Sequence, residues 1–143
     1  MLTAAIIFIS GLIGLGFGQT AKINVSFPPP VALNKAVAAP APAQPLTCSI
    51  EVDFYNASNK LVKTQKFSMT PGQAQQASLS RGELGSPLAS HPLFWAQVEA
   101  TACSGVADCT VDDCRVVATG QEADALGNTN LVFNGNRIRF APF

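Results

Sequence analysis

Three groups of residues in this 143-residue chain could do chemistry. Glu51 and Asp53 sit two apart on one alternating stretch, and Glu99 lies on another. Paired carboxylates can act as acid and base in glycoside cleavage, but outward charges on a strand are ordinarily just solvated. Asp108-Cys-Thr-Val-Asp112-Asp113-Cys114 gathers three carboxylates beside two cysteines. A hard cation such as calcium wants several oxygen ligands, and no turn glycine sits inside this run. Cys103, Cys109 and Cys114 lack the two-to-four-residue spacing of paired zinc ligands. His91, the single histidine, stands beside Ser90. A Ser/His pair needs a base within hydrogen-bond reach and an orienting group, and no Gly-x-Ser-x-Gly is present. These residues read as a solvated loop histidine, solvated strand carboxylates and an acidic loop pinned by a disulfide. No metal, no cofactor and no catalysis are expected.

Trp95, Tyr55 and Phe94 are candidates for a different task. If Ala96, Val98 and Ala100 face a core, Trp95 faces outward and, with Tyr55, could contact a carbohydrate or another surface. The competing reading has Trp95 covered by a loop. Asn24-Val-Ser and Asn56-Ala-Ser are glycosylation sequons, meaningful only in a eukaryotic secretory host. Arg137 and Arg139 form no wider basic patch, and the nine basic residues balance nine acidic ones. With no net positive field, nucleic acid is not an expected partner.

The elements that must position these residues follow three changes of composition. The uncharged run from Leu2 to Phe17 has the length of a signal h-region and ends in Gly16-Phe17-Gly18, a small-x-small cleavage pattern. A retained hydrophobic segment is the alternative; its length is at the lower limit for crossing a bilayer. Residues 19–45 comprise a short alternating strand, Lys22 to Phe27, and an Ala/Pro-rich spacer. Six of the ten prolines fall between 28 and 45, the composition of a semi-extended linker. Residues 46–143 form the expected domain.

Within it, Cys48, Ile50, Val52 and Phe54 alternate with Ser49, Glu51, Asp53 and Tyr55, a strand with one buried face. Asn56 to Lys60 is a turn, Leu61 to Ser68 runs back, and Thr70-Pro71-Gly72 suits a type II turn. Gln73 to Leu79 is a polar strand suited to an edge. Arg81 to Pro92 is a long loop, Leu93 to Thr101 a strand, Cys103 to Asp113 an irregular loop and Arg115 to Gly120 a further strand. Gln121 to Leu126 offers at most one weak helical turn. Leu131 to Phe140, with Asn134-Gly135 at its tip, predicts a type I′ hairpin. Seven or so short strands argue an antiparallel β-sandwich.

Four cysteines in a short exported chain read as disulfides, with three pairings open. Cys48 and Cys114 each open a strand, and Cys103 and Cys109 are close together. The favoured pairing is therefore Cys48–Cys114 across the fold and Cys103–Cys109 as a local loop. The long bridge closes about 65 residues, which on the chain-entropy model stabilises by roughly 4 kcal/mol.

Cys48-Ser-Ile-Glu-Val-Asp-Phe-Tyr-Asn, Leu61-Val-Lys, Met69-Thr-Pro-Gly-Gln73, Ala77-Ser-Leu79, Ala96-Gln97-Val98 and Cys114-Arg-Val-Val-Ala-Thr119 resemble short exported bacterial immunoglobulin-like domains. The resemblance spans about residues 47 to 133; the pair Cys103 and Cys109 is additional to it. It implies an immunoglobulin-like sandwich and a structural or adhesive role. The sequence-level expectation is a secreted, periplasmic or surface module that contacts a protein or cell-surface partner. Alternatives are a pilus-like subunit assembling by strand addition through its N-terminal segment, and a secreted carbohydrate-binding module. Contact with a membrane is expected only if residues 1–18 are retained.

Overall fold

The computed structural model of the chain describes residues 4–16, 18–29, 46–84, 92–124, 126–133 and 136–138. In chain order its strands are β1 (Ala5–Ile9), β2 (Ile13–Gly14), β3 (Thr20–Ser26), β4 (Thr47–Asn56) and β5 (Leu61–Met69). They continue with β6 (Ala74–Ser80), β7 (Leu93–Ser104), β8 (Val117–Ala123), β9 (Thr129–Phe133) and β10 (Asn136–Ile138). Two short 3-10 turns, Arg81–Leu84 and Val111–Asp113, are the helical elements among the described residues. No helix there is long and apolar enough to cross a membrane.

The strands form two antiparallel sheets that pack as a sandwich. The first runs β10-β1-β7-β4-β5, with β2 also beside β7; the second runs β6-β3-β8-β9. Alternation explains the packing, because successive side chains point to opposite faces. Ile50, Val52 and Phe54 of β4 and Phe94, Ala96, Val98 and Ala100 of β7 are fully or almost fully buried. They meet Ala21, Ile23 and Val25 of β3 and Ala77 and Leu79 of β6 across the interior. The polar strand β6 lies at the edge of its sheet, beside β3. The Asn56–Lys60 turn joins β4 to β5, and Gly72 adopts the left-handed φ of +93° that a type II turn requires.

β4 is the organising strand. It pairs with β7 from Thr47↔Ser104 to Asn56↔Phe94 and with β5 from Cys48↔Met69 to Tyr55↔Leu61. Cys48–Cys114 ties β4 to the segment leading into β8, joining the two layers at a Cα separation of 5.9 Å. Cys103–Cys109 closes the turn after β7. Both bridges are those the strand placements favour.

Other segments depart from expectation. Among the described residues of the expected Leu131–Phe140 hairpin, the two strands do not pair with each other: β9 pairs with β8 in the second sheet, whereas β10 pairs with β1 in the first. The ladders offered by β8 and β1 outcompete the local Asn-Gly turn, and the Asn134-Gly135 tip lies outside the described residues. Gln121–Ala123 extend β8 as strand rather than a helical turn, because both flanking strands supply ladder partners there. The 22–27 strand, β3, pairs on both sides within this same chain, with β6 and with β8.

β1 is built around a bulge. Its register on β7 runs Ala5↔Ala100, Ile6↔Glu99, Phe8↔Val98, Ile9↔Gln97, so Ile7 is the extra residue. The bulge lets Ala5 and Phe8 face the interior while Ile6 and Ile9 share the outer face with Glu99 and Gln97. Phe8 then lies 6.4 Å from Phe133, and Phe133 lies 6.1 Å from Phe94, an aromatic cluster linking the layers.

Candidate functional site

The outer face of the first sheet holds the chemistry-bearing side chains that the fold brings together. The β4–β7 register sets Glu51 opposite Glu99, Asp53 opposite Gln97 and Tyr55 opposite Trp95. On the other side of β4, Lys66 faces Glu51 and Thr64 faces Asp53. One strip of sheet therefore carries three carboxylates at one end and two aromatic rings at the other.

At the aromatic end, the Tyr55 and Trp95 rings stack with centroids 4.2 Å apart and planes within 12°. Trp95 Nε1 donates to Asn59 Oδ1 at 3.0 Å. Asn59 lies in the β4–β5 turn at a φ of +62°, a left-handed conformation that Asn tolerates better than most residues. The turn is braced by Asn56 Oδ1, which accepts from the Ser58 and Lys60 amides. Trp95 faces outward, as its neighbours' burial requires, but it is half-buried because Tyr55 covers one face of its indole.

At the acidic end, one oxygen from each of Glu51, Asp53 and Glu99 lies within 4.8 Å of the others. Asp53 is buried, with 5% of its surface exposed, which departs from the solvated strand carboxylate expected. Thr64 Oγ1 donates to its Oδ1 at 2.7 Å. Burial first, then the Glu51 charge, raise the Asp53 carboxyl above its ordinary range. Glu99 is pushed up to about 7 by burial, by its hydrogen bond with Glu51 and by the charges of Glu51 and Asp53. Glu51 moves down, chiefly because it accepts from Glu99 and also because Lys66 is near. Lys66 Nζ approaches Glu51 Oε1 to 3.7 Å from a largely exposed position. Burial raises the Tyr55 phenol, with the three carboxylates adding to the effect. A shallow depression of about 250 Å³ borders the trio, lined by Ser49, Glu51, Lys66, Ser68 and Thr101 among others.

Three close carboxylates can share a proton or hold a cation. Calcium takes six to eight oxygens, so these three residues would be only part of its shell. The carboxylates bond to one another rather than standing apart around a space for substrate.

The remaining candidates fall elsewhere. Asp113 Oδ2 accepts from the Thr110 amide at 2.9 Å, capping its own short turn. Asp108 holds a left-handed φ of +59° in the loop closed by Cys103–Cys109. His91 and Arg139 lie outside the described residues, as does the side chain of Arg137. Phe94 points inward, buried against Phe54 and Phe133, and takes no part in the outer face.

Two features of the site escape sequence reading. Alternation puts Glu51, Asp53 and Glu99 outward, but only the β4–β7 register makes them neighbours. Asn59 looks like an ordinary turn residue until Trp95 is placed against it. Comparison of the chain with protein-family models, curated proteins and solved structures finds no match.

Proposed function

We propose that this chain is an exported, non-catalytic β-sandwich module of the immunoglobulin-like class. It acts by surface contact, as a structural or adhesive element at a bacterial surface or in the periplasm. Two disulfides suit an oxidising compartment. The observation carrying the contact reading is the stacked Tyr55–Trp95 pair on the outer face of the first sheet, fixed by Asn59. Rings held in this way present apolar surface beside hydrogen-bonding groups with little side-chain freedom to lose, which favours recognition of saccharides and protein surfaces alike. The test is a glycan array probed with the parent and with Trp95→Ala. Binding by the parent that Trp95→Ala abolishes supports an adhesive saccharide contact; equal binding by both removes Trp95 from the contact.

A second reading is assembly into a filament through the N-terminal segment. It is favoured by one observation: β1 is an apolar strand seated between β7 and β10. The same seat could take the equivalent strand of a neighbouring copy. Electron microscopy and sedimentation of the full chain test it, with fibres or open-ended oligomers expected and a strict monomer at high concentration counting against it.

A further inference from the structure

The trio of carboxylates is crowded from every side, and the groups around it are few. From β4 come Glu51 and Asp53, with Tyr55 next along the same face; from β7 comes Glu99, opposite Glu51. From β5 comes one cation, Lys66, 3.7 Å from Glu51 and mostly in solvent, together with the Thr64 hydroxyl on Asp53. On the far side of β7, β1 contributes no ionisable side chain, only Ile6 opposite Glu99 and Ile9 opposite Gln97. Beyond β1, β10 pairs Ile138 with Ile6 and contains Arg137, whose side chain lies outside the described residues. Three acids within 4.8 Å of one another, one of them buried, face a single partly solvated ammonium among the described side chains. Like charges at this spacing cannot all ionise without a large penalty.

We propose that Glu51, Asp53 and Glu99 share a proton and act as a pH switch on the N-terminal strand. β1 stays seated on β7 while the trio keeps that proton, and its first half is released when the proton leaves.

The geometry says why the strain would be relieved there. Protonated, Glu99 donates to the Glu51 carboxylate and can remain beside Ile6 without water. Ionised, it repels Glu51 and Asp53 and needs solvent. The β4 side is held more firmly: β4 pairs with β7 from Thr47↔Ser104 to Asn56↔Phe94 with one register shift between Ser49 and Ile50, β5 pairs along its other edge, and Cys48–Cys114 anchors it to the second layer. The β1 side yields more easily, because its ladder on β7 is short, Ala5↔Ala100 to Ile9↔Gln97, and the bulge between Ile6 and Phe8 separates its first two residues from the rest. Release is confined to Ala5 and Ile6, because Phe8 beyond the bulge is buried against Phe133 and the chain after it is tied down. Ser10 Oγ accepts from the Ala96 amide at 2.8 Å, and the Leu15 amide bonds to the Pro92 carbonyl at 3.0 Å. Because the seated state binds the proton more tightly than the released one, low pH favours seating and high pH favours release. With Glu99 held up to about 7, the change falls near neutrality.

The test is amide exchange on the full chain from pH 5.5 to 8.5, corrected for the intrinsic pH dependence of exchange, with a carboxyl-carbon NMR titration of Glu99. Protection of the Ala5 and Ile6 amides is expected to fall by up to about tenfold for each pH unit above 7, while the Phe8 to Leu15 amides hold. Glu99→Gln, which keeps the shape and removes the charge, is expected to flatten this dependence. Glu51→Gln relieves the same repulsion from the opposite strand and serves if Glu99→Gln does not fold. Titration of Glu99 in the ordinary carboxylate range would refute the shared proton. A Glu99 that titrates near 7 while the β1 amides do not respond would refute the coupling to β1. No ligand enters these measurements, so they stand or fall separately from the contact reading.

Discussion

Trp95 makes three contacts of different kinds: its ring on Tyr55, its indole N–H on Asn59, and its backbone in the β4–β7 ladder. Aromatic stacking adds about 0.5–1.5 kcal/mol beyond area burial. Trp95→Ala is therefore expected to lower stability by only a few kcal/mol, since the core residues Phe94 and Ala96 on either side are untouched. Thermal melting checks that the variant remains folded, so that any binding loss reports on the contact. Gly120 works in the opposite sense. It pairs with Phe133, and a Cβ there would clash with the edge of the Phe133 ring. Gly120→Ala is expected to cost about 1–3 kcal/mol through overpacking, read as a lowered denaturation midpoint with an unchanged denaturant slope. Glu99 supplies a pH signature. Its carboxyl is raised from 4.5 to about 7 in the folded chain, so the native state binds more protons than the unfolded state between those values. Its contribution to stability is complete below about 4.5 and disappears as pH rises through 7. Glu99→Gln is expected to remove that part of the pH dependence in a series of melts.

At the scale of elements, the two disulfides differ in what they restrain. Cys48–Cys114 spans a sequence separation of 66 and links the layers, whereas Cys103–Cys109 spans 6 and closes one turn. On the chain-entropy model they stabilise by about 4 and about 2 kcal/mol. Replacing Cys48 and Cys114 together by Ala is expected to unfold much of the population at physiological temperature. Replacing Cys103 and Cys109 should leave a folded domain; circular dichroism melts of the two double variants compare them directly. The pairing was legible from sequence because Cys48 opens a strand that alternates cleanly and Cys114 stands just before another, and so was the β4–β5 hairpin, whose turn residues carry a local signal. The expected Leu131–Phe140 hairpin fails for the same reason in reverse. Asn134-Gly135 is a strong local turn signal, but the ladders on β8 and β1 are non-local and leave no trace in a ten-residue window. The carboxylate trio was half legible. Alternation gives the face, while the register between two strands distant in sequence gives the neighbours. β1 was the least legible element, because Ala-Ile-Ile-Phe-Ile is apolar on both faces and its bulge erases the period of two.

For the whole molecule, the N-terminal segment carries the largest consequence. β1 and β2 cover β7 along the side opposite β4. A chain beginning at Gln19 would leave that side of β7 as an open, apolar edge, the arrangement that invites pairing with another chain. Its removal is expected to raise the oligomeric state of the protein, measured by light scattering against the full chain; an unchanged monomer would mean that β1 is dispensable to the sheet. Intact mass of the natural product determines which of the two forms the cell makes. The account as a whole depends on an oxidised, two-layered body that leaves the cytoplasm and meets its partner through the outer face of the first sheet. Its most direct test is a peptide map of protein isolated from its natural host, alkylated without reductant. The account predicts Cys48 linked to Cys114, Cys103 linked to Cys109 and no alkylated thiol. Four alkylated cysteines in the native protein would contradict it.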